Sequence, residues 1–73
     1  MASKDYLNAS IDTRIPQGDG TTFAKYHTIK NTEEKLQKFE RFALGKFPQA
    51  WFVNYYWKHL PEGKNFAFRR YLQ

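Results

Sequence analysis

A chain of 73 residues allows one domain, residues 1–73, and its core must be densely packed to hold. The absence of cysteine excludes a disulfide framework and a thiolate metal site, which suits a reducing compartment. A formal net charge of +5 with 19% aromatic residues points toward a polyanion or an acidic protein surface as partner.

The charge is uneven along the chain. Residues 1–24 set Lys4 and Arg14 against Asp5, Asp12 and Asp19, a net of −1. Residues 25–73 set ten Lys and Arg against Glu33, Glu34, Glu40 and Glu62, a net of +6. No apolar run approaches the ~18 residues of a membrane span. The first residues also lack the apolar centre of a signal peptide. A soluble cytoplasmic protein without membrane contact is the expectation.

Residues 1–4 offer nothing to bury and are expected to be mobile. From 5 to 14 apolar Leu7, Ala9 and Ile11 alternate with polar Asn8, Ser10 and Asp12, the pattern of a half-buried strand, although Asn, Asp and Ser are poor strand formers. Pro16, Gly18 and Gly20 break the chain into a loop. A second strand follows over 21–30. Neither of its alternating faces is cleanly apolar, which suits an edge position. Residues 5–30 are thus a first hairpin.

Residues 31–45 read as a helix. Asn31 is placed to cap it and Glu34 to bond back to the cap. At about 100° per residue Leu36, Phe39, Phe42 and Ala43 share one face. Glu33, Glu34, Gln37, Lys38, Glu40 and Arg41 share the other. Gly45 is expected to close the helix in a left-handed cap, with Pro48 barring continuation.

Residues 50–72 hold eight of the chain's aromatics, counted from 7 Phe, 5 Tyr and 2 Trp, and read as a second hairpin. A helix starting near Pro48 is the competing reading for 50–58. The density of Trp, Phe, Val and Tyr favours a strand. Leu60-Pro61-Glu62-Gly63 fits a type I turn, with Pro second and Gly fourth. The last strand covers 65–72. The resulting order is ββαββ, an α+β fold with a small antiparallel-rich sheet and one helix packed on one face. One helix covers one face only, so the other is left to solvent or to a partner.

Alternation divides the second hairpin. Trp51, Val53, Tyr55 and Trp57 are expected under the helix together with Phe66, Phe68 and Leu72. Phe52, Asn54, Tyr56, Lys58, Arg69 and Tyr71 are expected on the open face, with Lys64 in the adjoining turn. Flat aromatics beside cations suit stacking with unpaired bases and contact with phosphate. The same residue types stabilise sheets as cross-strand pairs and serve as hot spots for protein partners.

Catalytic chemistry is poorly supplied. His27 and His59 are the only histidines, no nucleophile stands out, and two histidines without a carboxylate cluster do not make a zinc site. The 18–22 stretch GDGTT lacks the lysine and following helix of a phosphate-binding loop. Lys35, Lys38 and Arg41 interleave with Glu34 and Glu40, and so read as an ordinary solvated face. Size, lack of cysteine and dense aromatics resemble small phage- or mobile-element-encoded (viral) proteins.

Two functions follow as expectations, neither catalytic and neither needing a cofactor. The first is a nucleic-acid-binding module that holds a single strand through Phe52, Tyr56 and Tyr71, aided by Lys58, Lys64 and Arg69. The second is an inhibitor or adaptor that docks the same hairpin on an acidic protein surface. An exposed apolar face of this kind also allows a homodimer.

Overall fold

The computed structural model describes residues 5–13 and 21–73, with the backbone alone for 21–23. The expectations for residues 1–4 and for the 14–20 loop lie outside these residues. Strands β1 (Tyr6–Thr13) and β2 (Thr21–Lys30) precede helix α1 (Glu33–Lys46), and strands β3 (Phe52–Trp57) and β4 (Phe66–Tyr71) follow it. The four strands form one antiparallel sheet in the order β2-β1-β3-β4. The fold is the ββαββ, α+β arrangement the sequence implies, and residues 52–57 are strand rather than helix.

The two central strands carry the core. Across β1 and β3, Leu7 faces Trp57, Ala9 faces Tyr55 and Ile11 faces Val53. Leu7, Ile11, Val53 and Tyr55 are fully buried, and Leu36 and Ala43 of α1 close over them with Ala50. β1 is therefore central despite its Asn, Ser and Asp. Its alternate residues meet the helix, and that burial outweighs weak intrinsic strand preference. Its polar side chains stay on the opposite face, where the Ser10 hydroxyl donates to Asp12 at 3.0 Å.

Three irregularities reset the alternation. Between Leu7 and Ala9, two residues of β1 span three of β2, so Tyr26 and Ile29 both face the helix side. The chain accommodates this at Thr28, whose φ of 63° is left-handed, and the Thr28 amide donates to Asn8 Oδ1 at 3.4 Å. A bulge of this kind explains why neither alternating face of β2 reads as apolar. A second shift lies between Ile11 and Asp12. The third is in β4, where Tyr55 faces Phe68 but Tyr56 faces Phe66. One step of β3 thus spans two of β4. Phe66, expected under the helix, is carried to the open face, where it is 55% exposed.

The helix ends differ from their expected chemistry. Thr32, not Asn31, is the N-cap, and its hydroxyl accepts from the Lys35 amide at 3.3 Å. The Asn31 amide instead donates to the Asp5 carbonyl at 2.8 Å, tying the helix start to β1. Gly45 lies inside the helix, which runs on to Lys46. Phe47 caps its end, donating its amide to the Ala43 carbonyl at 2.8 Å. The β3–β4 connection is two turns, not one. The Leu60 amide donates to Trp57 at 3.4 Å and the Lys64 amide to Pro61 at 3.1 Å. Gly63 is third in the latter turn, with a φ of 93° that a side chain would resist. Among the described residues, no helix is long and apolar enough to cross a membrane.

Candidate functional site

The face of the sheet away from α1 brings together residues of all four strands. Cross-strand register aligns Phe52 with Tyr71, Asn54 with Arg69 and Tyr56 with Phe66 on this face, next to Asp12, Ser10 and Asn8 of β1. The residues expected to form one surface split into two groups. Phe52 and Tyr56 are four residues apart along β3, roughly 13 Å of extended chain.

The first group closes on itself. The Arg69 guanidinium lies over the Phe52 ring at 4.0 Å. Its Nε donates to Asn54 Oδ1 at 2.8 Å, and one of its terminal nitrogens lies 3.4 Å from the Tyr71 hydroxyl. Trp51, expected under the helix, precedes the first residue of β3 and instead packs with Phe52 and Tyr71 as a triad with ring centroids 5.4 to 5.8 Å apart. Phe52 is thus only 9% exposed, while Tyr71 at the rim is 57% exposed. The guanidinium thus holds a ring and an amide of the protein itself, and it covers one face of the Phe52 ring.

The second group borders a groove of about 490 Å³. Tyr56 and Phe66 stand edge-to-face at 5.8 Å on its β3–β4 side. Asn8, Ser10 and Asn54 contribute amides and a hydroxyl to its lining, and Lys25 and His27 of β2 close the far side. Glu62 and Asn65 reach it from the turn. Lys58 and Lys64 are exposed on the β3–β4 connection, at the end of the strands where Tyr56 and Phe66 stand. His27 lines the groove, whereas His59 sits against Trp57 in the turn, with ring centroids 6.1 Å apart. Among the described residues, no group of three or more His, Cys, Asp or Glu is placed to hold a metal ion.

The helix side holds a polar network that the sequence reading missed. Arg70 points under α1. Its guanidinium donates two hydrogen bonds to Glu33, at 3.0 and 2.7 Å, and one to Glu40 at 3.3 Å, with its Nε in ion-pair contact with the Glu40 carboxylate at 3.1 Å. The buried Tyr55 hydroxyl donates to Glu40 at 2.7 Å. Arg70 and Gln37 hold the Glu33 carboxyl below the usual carboxylate range. Bonding to Glu33 raises the Arg70 pKa further, and burial followed by the bond to Glu40 pushes the Tyr55 hydroxyl well above its ordinary value. Glu40, assigned by helix periodicity to the solvent side, therefore belongs to the sheet contact. The signal was available: Glu33 and Glu40 are two turns apart on one helix face, and Arg70 occupies an inward position of β4.

Comparison with protein-family models, with curated proteins and with solved structures finds no match for this chain. Its function must be argued from the groove alone.

Proposed function

We propose that this protein is a small, non-catalytic module that binds single-stranded nucleic acid in the groove of its open sheet face. The observation that carries the reading is the pairing of half-buried Tyr56 with exposed Phe66 beside a groove lined with amide and hydroxyl groups. An unpaired base has one aromatic face to stack and one polar edge to satisfy, and this groove offers a partner for each. Asn8 and Asn54 carry both donors and acceptors. Asp12 and Glu62 in the lining suit the exocyclic amino groups of bases, since a carboxylate accepts from them. Lys25 at the groove, with Lys58 and Lys64 on the connection, supplies charge for phosphates.

In this reading the roles expected from sequence are redistributed. Tyr56 keeps its stacking role and is joined by Phe66. Phe52 and Arg69 become structural, and Tyr71 sits at the rim of their cluster. The test is a fluorescence titration with single-stranded oligonucleotides at low salt. Tyr56→Ala and Phe66→Ala are each expected to weaken binding by about 1–3 kcal/mol, the cost of losing one stacked base. Removing both Lys58 and Lys64 should flatten the dependence of affinity on salt by about two phosphate contacts. Arg69→Ala should leave that slope unchanged. Absence of binding at low salt ends the proposal.

A further inference from the structure

A second groove, of about 410 Å³, lies between α1 and the paired ends of β1 and β2 at the edge of the sheet. Its apolar surface comes from Tyr6, Ile29, Phe39 and Phe42, and its cations are Lys30, Lys35 and Lys38. Phe42 is 46% exposed and Tyr6 41%. Tyr26 packs edge-on against both Phe39 and Phe42, with centroids at 5.4 and 5.6 Å, which holds the two phenyl rings in place. The Thr28 bulge turns Ile29 toward the helix side and so completes the apolar surface.

Charge separates this groove from the first. Its lining contains three lysines and no carboxylate. Among the described residues, no ion pair joins Lys30, Lys35 or Lys38 to an acid. It is also poor in side-chain acceptors and amides, which reading a base edge would require. An apolar centre with a cationic rim is instead the arrangement of a protein-docking surface. We infer that the α1–β2 groove docks an acidic peptide segment of a partner protein, which sets an apolar or aromatic side chain against Phe42 and Tyr6 and carboxylates against Lys30, Lys35 and Lys38. The first groove differs in carrying two carboxylates, Asp12 and Glu62, in its lining. Lysine on the β2 end and lysines on the helix come together only in the fold, so the helix read alone looks like a solvated face.

The experiment is a selection of displayed random peptides on the intact chain, followed by anisotropy titration of the enriched peptides. Enrichment of sequences combining Asp or Glu with Phe, Trp or Leu is expected. Their affinity should fall about tenfold in a variant carrying Lys30→Glu, Lys35→Glu and Lys38→Glu, the sum of three screened surface pairs. It should fall likewise in Phe42→Ser, which keeps every charge and alters a half-exposed side chain. Thermal melts establish that both variants are folded, and Tyr56→Ala should bind the peptides normally. No enrichment, enriched peptides without acidic bias, or full binding by folded Phe42→Ser overturns the inference. So does displacement of the peptides by a single-stranded oligonucleotide, which would assign the groove to nucleic acid.

Discussion

Thr28 and Gly45 each occupy a backbone state better suited to another residue. Thr28 holds a left-handed φ of 63°, where a β-branched side chain crowds the backbone, while Gly45 sits in helix with open space around its missing Cβ. The left-handed state costs an ordinary L-residue roughly 1–2 kcal/mol, and asparagine tolerates it best among residues with a side chain. Glycine inside a helix costs roughly 0.5–1 kcal/mol relative to alanine. Gly45→Ala and Thr28→Asn are therefore each expected to stabilise the fold by about 1 kcal/mol, a rise of roughly 4–8 °C in melting temperature for a domain of this size. Calorimetry of the two variants checks this. A fall in the Gly45→Ala melting temperature would mean that the helix end needs a glycine after all, as its sequence suggests. Arg69 makes the complementary case: its three contacts lie within the protein, so its truncation should appear in stability before it appears in ligand affinity.

At the level of elements, helix and sheet are held together by apolar contact and by one polar strap, Tyr55–Glu40–Arg70–Glu33. The strap gives the fold an alkaline limit. The folded-state pKa of Tyr55 is raised above its unfolded value near 10, so folding favours the protonated hydroxyl. That contribution is fully present below pH 10 and is lost as pH rises further, because the unfolded chain releases the proton and the folded chain resists doing so. Urea midpoints followed from pH 8 to 11 should fall more steeply for the native chain than for Tyr55→Phe. Below pH 10 the variant should be less stable by about 1–2 kcal/mol, the loss of one hydrogen bond to a charged acceptor. Parallel pH profiles would show that the hydroxyl does not remain protonated against Glu40.

The same elements show how far the sequence could be read. Order, strand types and the helix-facing row Val53, Tyr55 and Trp57 of β3 follow from period and propensity, while Trp51, expected in that row, lies before the strand and packs elsewhere. The open-face assignments of Phe52, Asn54 and Tyr56 follow for the same reason. The bulges do not follow. Each inserts one residue with no sequence mark, and Phe66, Ile29 and the composition of both grooves depend on them. Covering of Phe52 by Arg69 was also hidden, since alternation says which face a residue takes and not what lies on top of it. Arg70 was readable as an inward cation, but an alternation pattern weighted toward apolar residues passes over a charge that finds its partner on another element.

For the whole molecule, the decisive fact is a thin core with two grooves beside it. Among the described residues four large side chains are fully buried at the centre, and several of the other buried positions are alanines. Chains of this length are stable by roughly 4–11 kcal/mol, at 0.05–0.15 kcal/mol per residue. Leu7→Ala is expected to cost about 2–5 kcal/mol, leaving a chain close to its folding threshold. Any ligand of the native groove residues should then restore it, because a ligand that binds only the folded form adds about 2.7 kcal/mol at a hundredfold excess over its Kd. A single-stranded oligonucleotide at that excess should raise the melting temperature of Leu7→Ala in low salt, and should fail to do so when Tyr56→Ala is added. An acidic peptide held by the α1–β2 groove should add its own increment on top. The two grooves share no lining residue, and distant sites without shared contacts combine additively. Rescue by oligonucleotide that survives Tyr56→Ala and disappears with the lysine variant would instead place the nucleic acid on the helix side, against both assignments.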